Sequence, residues 1–204
     1  MALILSALLY GLSSNLDNLV VGIAYGIKKI KIGIIANLII AVVTSTGTFL
    51  SMSVGSYISK FLPHSLANYL GALVIIILGV YFVTQSIIKF LNNIKSKELA
   101  LKNITDMIEY AEKSDLDGSG DISMKEALLV ALGLTFNNLG TGVAASITGV
   151  SIQLTVISTF ILSILIIIFG ESIGNHVLGQ FCGKYAPLFS GILLIVLGII
   201  EFIN

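Results

Sequence analysis

The sequence has little charge, one cysteine and no tryptophan. Only 11% of its 204 residues are charged, 56% are hydrophobic, and the net charge is zero. An ordinary soluble domain carries about 25% charged residues, so this composition excludes that class. A neutral chain also has no excess of basic residues with which to bind a nucleic acid. The single cysteine, Cys182, excludes an intramolecular disulfide.

Long apolar runs make up most of the chain. A membrane-spanning helix needs about 20 mainly apolar residues, and six stretches meet this criterion. Charged residues are almost excluded from their central parts. We therefore predict an all-α integral membrane protein with six transmembrane helices. The predicted spans are 3–27, 33–60, 66–91, 126–148, 153–180 and 186–203.

The lysines indicate how the spans are oriented. If the N-terminus lies outside, ten of the eleven lysines fall in inside loops and only Lys60 falls outside. The positive-inside rule then predicts a multi-pass protein of the bacterial plasma membrane with both termini outside. Residues 92–125 are predicted to be cytoplasmic. The cluster of Lys28, Lys29 and Lys31 in the first inside loop contributes most to this prediction.

The two halves of the chain share a sequence pattern. Residues 12–27, LSSNLDNLVVGIAYGI, and residues 132–147, LGLTFNNLGTGVAASI, are identical at six positions with an offset of 120. Residues 1–91 and 126–204 each hold three predicted spans, joined by the linker 92–125. Because three is odd, the halves must enter the bilayer from opposite sides. This predicts an inverted-topology repeat, whose substrate site lies at the repeat interface near the midplane.

Polar residues interrupt the first and fourth spans near their middle. Asp17 is the only acidic or basic residue between Met1 and Lys28. An ionised group at that depth costs at least ~2.5–3.5 kcal/mol, so such residues usually face a cavity and a substrate. Oxygen ligands suit hard divalent cations such as Ca²⁺, Mg²⁺ or Mn²⁺. The predicted transport-site residues are Asp17, Asn18, Asn137, Asn138, Ser14, Thr135 and, near the inner end of the fifth span, Glu171.

A structural interpretation of these polar residues stays open. Asparagine and serine in membrane helices often serve only as hydrogen-bonding groups between helices, and this applies to Asn18 and Asn138. Glu171 could equally be an acid at the membrane interface. Asp17 is harder to explain in this way, because no span contains a basic partner for it.

Residues 115–126, DLDGSGDISMKE, follow the twelve-residue calcium-loop pattern of an EF-hand. Acidic or hydroxyl residues hold its liganding positions, a glycine holds the sixth position, and a glutamate holds the twelfth. We therefore predict that the loop binds Ca²⁺ or Mg²⁺. The predicted ligands are Asp115, Asp117, Ser119, Asp121, Ser123 and Glu126. An acidic, solvated linker whose Asp and Gly residues only form turns is the alternative.

The position of this loop suggests a role for it. Glu126 is both the last loop residue and the start of the predicted span that carries Asn137. Ion binding would therefore connect that helix end to Asp115 and Asp117, as a cytoplasmic sensor or as a structural clip.

The motifs SSNLDNLVVGIAYG in span 1 and LTFNNLGTGVAAS in span 4, together with the loop, resemble a known family. They are similar to the MntP-type manganese exporters of the LysE superfamily, and among these to the sporulation-associated YtaF branch. The resemblance covers the whole chain and implies a six-helix fold, divalent-cation export and motif acids at the ion site. The first motif acid falls on Asp17. The second falls on Asn137, which lacks the carboxylate.

These observations favour a secondary transporter, not an enzyme. We expect it to export Mn²⁺ or Ca²⁺ by alternating access, with protons as a candidate counter-ion. The alternative is a non-transporting, sporulation-associated membrane sensor or scaffold whose loop binds Ca²⁺. Export of a small amino acid is a third interpretation, which the lack of a carboxylate-binding base in the spans disfavours. The expected partners are the lipid bilayer and the divalent ion, without nucleic acid; a homo-oligomer stays open.

Overall fold

The computed structural model describes residues 2–95, 109, 111–174 and 177–203. Side chains are not described at residues 2, 3, 64, 65, 89–95, 137, 177–184 and 187. The described residues are mainly α-helical and contain no β-strand. The helices are α1 (Ala2–Ser14), α2 (Leu16–Lys28), α3 (Ile34–Ser59), α4 (His64–Lys95), α5 (Met124–Ile147), α6 (Ile152–Gly174) and α7 (Val177–Ile203).

The helices form a multi-span membrane protein. Four spans are long and apolar enough to cross a bilayer: Ile4–Lys28, which joins α1 and α2, then Ile34–Ser59, Leu66–Ile88 and Ile152–Gly174. The two segments of α5 meet at 49° and make a fifth span if they are taken together. The apolar part of α7 within the described residues, Leu188–Ile203, is shorter.

The helices differ from the predicted spans in two places. The first span is not one helix, because the chain breaks at Asn15, where φ is −99° and ψ is 0°. The fifth span was predicted to reach residue 180, but α6 ends at Gly174 and α7 begins at Val177. Hydropathy missed this boundary because the residues around it continue the mixed apolar pattern. Lys184 consequently lies within α7 and not in a loop.

Most helix packing joins one half of the chain to the other. The first span, α1 with α2, packs on α6, and α3 packs on α5. Helix α4 packs on α7, and α3 also contacts α6. The first span further contacts α7, as α4 contacts α5. The two halves therefore interlock and do not form two separate bundles.

Small residues allow the backbones to approach closely at these contacts. An added Cβ at Gly22 would lie 2.7 Å from the Ile167 carbonyl oxygen and 3.1 Å from the Gly170 Cα. One turn further, an added Cβ at Gly26 would lie 2.9 Å from the Gly174 Cα. Membrane helices associate by such packing and by hydrogen bonds, because lipid chains are as apolar as the side chains.

We expect Gly22→Ala to destabilise the bundle, because all the nearest atoms on α6 belong to its backbone and cannot rotate away. The expected loss is about 1–3 kcal/mol, as for an over-packed core. The measurement is the thermal midpoint of the detergent-solubilised protein. Gly133→Ala is the matched control, since an added Cβ there meets nothing within 4 Å. Equal midpoints for both variants would contradict the close approach of α2 and α6.

Candidate functional site

The break at Asn15 lies between two halves of a membrane span. The Asn15 side chain donates to the Gly11 carbonyl at 2.7 Å, and its backbone N–H donates to Leu12 at 3.2 Å. From α5, the Asn138 amide donates to the Ser14 carbonyl at 2.9 Å. Because no water reaches backbone groups in the hydrocarbon layer, a broken helix needs such internal partners. Asn138 therefore stabilises the end of α1.

The residues around this break carry a carboxylate and two buried acceptor atoms without hydrogen-bond partners in the described structure. Asp17 is half-buried in the first turn of α2, where the helix dipole favours a negative charge. Asn18 is 1% exposed, and its amide donates to Asn15 Oδ1 at 2.7 Å and to Ser163 Oγ at 2.9 Å. The Asn18 Oδ1 and the Thr159 Oγ1 are buried without a hydrogen-bond partner in the described structure.

These unused oxygens favour a bound cation. A buried acceptor without a partner costs about 1–3 kcal/mol. Carboxylate, amide and hydroxyl oxygens are ligands that Ca²⁺, Mg²⁺ and Mn²⁺ accept. The region around Asp17 and Asn18 therefore has the chemistry of a hard-cation site.

Helix α6 supplies site residues that the sequence analysis missed. Thr155, Thr159 and Ser163 are all buried and follow one another at four-residue intervals. Such spacing places them on one face of the helix. The sequence did contain a signal for these residues, since a polar residue recurs every four positions in an otherwise apolar span. Ser190 of α7 adds a further contact, because its hydroxyl lies 2.9 Å from that of Ser13.

The other predicted transport-site residues are distributed differently. The Ser14 hydroxyl donates to Gly11 at 3.2 Å, within its own helix. The Thr135 hydroxyl donates to Ala131 at 2.8 Å, and its methyl group faces Gly47 of α3. Neither hydroxyl bond reaches α2. The Asn137 side chain lies outside the described residues.

Glu171 lines a pocket near the α2–α3 connection, away from Asp17. The cavity is about 440 Å³ and is also lined by Gly26, Lys29, Ile30 and Lys31. Glu171 is eight residues beyond Ser163, or roughly 12 Å along the helix. It therefore belongs to the mouth of the bundle and not to the group of oxygens around Asp17.

The 115–126 loop brings its acidic residues together. One carboxylate oxygen each from Asp115, Asp117 and Glu126 lie within 4.8 Å of one another. The Ser119 N–H donates to Asp115 at 3.1 Å and to Asp117 at 3.0 Å. Hydrogen bonding to Ser119 holds the pKa of Asp117 below its ordinary value. Gly120 has a φ of 78°, which suits glycine.

Glu126 and Ser123 also begin helix α5. They form a reciprocal capping box, in which the Ser123 N–H donates to Glu126 at 2.8 Å. The Leu116 N–H donates to the other carboxylate oxygen of Glu126 at 2.6 Å. Of the remaining predicted ligands, Asp121 has an exposed side chain, and its backbone carbonyl accepts from Ser119 at 2.9 Å.

The loop is attached to the connection between α2 and α3. The Lys31 N–H donates to Gly120 at 2.9 Å, and the Ile122 N–H donates to Lys31 at 3.0 Å, which forms a short parallel bridge. Ile122 is buried in one apolar cluster with Ile30. Glu112 pairs with Lys28. Most of the linker before the loop, residues 96–108 and 110, lies outside the described residues.

Comparisons with known proteins identify the family of the chain. The family model described as "Putative manganese efflux pump", MntP, matches residues 98–201. The chain is 32% identical over 209 residues to the "Probable sporulation protein YtaF" of Bacillus subtilis (strain 168), covering 95% of this chain and 97% of that protein. No solved structure matches the chain significantly. The chain therefore belongs to the MntP family, in the branch of YtaF.

Proposed function

We propose that the protein exports a divalent cation, Mn²⁺ or Ca²⁺, across the plasma membrane by alternating access. The observation that carries the proposal is the buried, unpartnered Asn18 Oδ1 beside Asp17, at a break within a membrane span. The family description as a manganese efflux pump favours Mn²⁺.

Asp17 is the central ligand in this proposal. As the charged group of the site, it would bind the ion and exchange protons when the ion leaves. Asn18 would supply its amide oxygen, and Asn137 would stand where the family motif has a second acid. Asn138 would act mainly by holding the end of α1, through its bond to the Ser14 carbonyl.

Alternating access follows from an inverted repeat, and the glycine contacts support such a repeat. Gly22 of α2 contacts Gly170 of α6. The position 120 residues after Gly22 is Gly142 of α5, and the position 119 residues before Gly170 is Ser51 of α3. These two residues also contact each other. Offsets of 119 or 120 residues relate further contacts. The contact of Gly26 with Gly174 corresponds to that of Ser146 with Gly55. The contact of Gly79 with Gly191 corresponds to that of Gly198 with Ala72. The breaks near Asn15 and residue 137 also fall in the matching motifs. Discontinuous helices at corresponding positions are typical of transporter substrate sites.

The orientation completes this proposal. With both termini outside, the α2–α3 connection and the 115–126 loop face the cytoplasm, and Glu171 lines the inner mouth. Lys29 and Lys31, which line the pocket with Glu171, support this orientation, because the positive-inside rule favours lysines on the cytoplasmic side.

We further propose that the 115–126 loop binds Ca²⁺ and regulates transport. Its convergent carboxylates fit a hard cation, and Ser119 and the Asp121 carbonyl supply additional oxygens. The bridge to Lys31 connects the loop to the first span, and Glu126 connects it to α5. Both site-bearing helices would therefore respond to ion binding at the loop.

The transport proposal predicts that Asp17→Asn abolishes Mn²⁺ flux, because the amide keeps the size of the side chain but removes its charge. Flux is measured in proteoliposomes with a Mn²⁺-sensitive dye, and Ca²⁺ and Mg²⁺ are compared. We expect the variant to fall to the background of empty liposomes. Glu109→Gln is the control, since Glu109 is an exposed acid outside the spans.

Two results would contradict this proposal. Wild-type flux in the Asp17→Asn variant would exclude Asp17 as the central ligand. An absence of flux for every ion under every gradient, with Ca²⁺ binding at the loop intact, would favour the sensor or scaffold instead.

The loop proposal predicts that Glu126→Gln weakens Ca²⁺ binding by about ten-fold or more, because the bidentate ligand loses its charge. Glutamine still serves in a capping box, so the start of α5 is retained. Asp121→Asn is the matched control, because the seventh position of such a loop binds through its backbone carbonyl. Isothermal titration calorimetry on the detergent-solubilised protein gives both affinities.

If the loop is only a solvated turn, the Ca²⁺ titrations of Glu126→Gln, Asp121→Asn and the wild type are all the same. If it is a regulator, Glu126→Gln also shifts the Ca²⁺ concentration at which Mn²⁺ flux changes.

A further inference from the structure

Glu201, near the end of α7, is buried in the bundle. The residue is only 7% exposed. The hydroxyl of Ser6, itself fully buried, donates to its carboxylate. The Asn68 amide donates to the Glu201 backbone carbonyl at 3.1 Å. Glu201 thus joins the first turns of α1 and α4 at the end of the bundle opposite the 115–126 loop.

Among the residues with described side chains, the hydrogen-bond partners of Glu201 are the neutral residues Ser6 and Asn68. No lysine lies within 4 Å of its carboxylate among the residues with described side chains; the ion pairs there involve Lys28 and Lys113. Within the described residues, the Oδ1 of Asn68 is buried without a hydrogen-bond partner. A buried carboxylate with neutral partners and an unused amide oxygen is the kind of ligand set that a hard cation completes.

A polar face of α1 runs from this group towards the break at Asn15. Ser6, Tyr10 and Ser13 are spaced by four and three residues, which places them on one face of the helix, and all three are buried. The Tyr10 hydroxyl lies beside Gly142 of α5, and Ser13 bonds to Ser190 of α7. Two residues after Ser13 the helix breaks at Asn15.

We propose that Glu201, Ser6 and Asn68 form a second hard-cation site, on the exit side of the membrane. The transported ion would move from Asp17 along the polar face of α1 and bind the Glu201 carboxylate before release. This inference rests on the proposed function and adds a residue that the family motifs do not contain.

The first test is chemical modification of the wild-type protein in lipid vesicles. A hydrophobic carbodiimide reacts with buried carboxyl groups, and mass spectrometry identifies the modified residue. We expect Mn²⁺ to protect Glu201 in a concentration-dependent manner, in the wild type and in Asp17→Asn. Labelling of Glu201 that is the same at all Mn²⁺ concentrations would overturn the second site.

The second test compares Mn²⁺ flux in Glu201→Gln, Ser6→Ala and the exposed-acid control Glu109→Gln. We expect Glu201→Gln to slow flux about ten-fold, as loss of a functional metal partner does elsewhere, and Ser6→Ala to slow it less. Wild-type rates in both site variants would overturn the inference. Ser6→Ala and the labelling of the wild type remain informative if Glu201→Gln does not fold.

The results separate this inference from the proposed function. The wild type could transport Mn²⁺ while Glu201→Gln and Ser6→Ala keep the wild-type flux and Mn²⁺ leaves the labelling of Glu201 unchanged. That result contradicts the exit site and agrees with the transport proposal. If the wild type transports no ion and Mn²⁺ still protects Glu201, the site stands and the transporter fails.

Discussion

The hydrogen bonds that cap the helix break at Asn15 are the constraint on which the site depends. A chain that leaves the helical conformation inside the hydrocarbon layer must satisfy its carbonyls without water. Here Asn15, Asn138 and Ser190 do so for the last turn of α1, and two of these residues come from other spans. The break can therefore exist only where α5 and α7 meet the first span. The same geometry places Asp17 at the start of a half-helix.

Close backbone packing makes this meeting possible. Gly22 and Gly170 contribute no side chains, so α2 and α6 approach until backbone faces backbone. At Gly142 of α5, the missing side chain leaves room for the Ser51 side chain of α3. Each of these contacts joins opposite halves of the chain. An inverted-repeat transporter needs interfaces of this kind, because its two access states exchange the packing of its halves.

The two ends of the bundle carry different polar groups. At one end, the bridge between Lys31 and Asp121 attaches the acidic loop to the α2–α3 connection, beside Glu171. At the other end, Glu201 is buried among the starts of α1 and α4. An ion that binds at Asp17 would thus have carboxylates on both sides of it. Acids spaced along a membrane protein lower the barrier for a cation at each step, because each replaces part of its lost hydration.

The sequence by itself determined the all-α membrane class, the acid at Asp17 and the loop composition, because hydropathy and ligand spacing are local properties. It could also indicate the glycines at matching positions of the two halves. Only the tertiary structure decided that the first span breaks at Asn15, that Ser163 of α6 bonds to Asn18, and that Glu201 is buried. These features depend on partners more than 100 residues away in the chain. Local patterns cannot identify such partners, because many polar residues in apolar helices look alike until packing selects which of them meet.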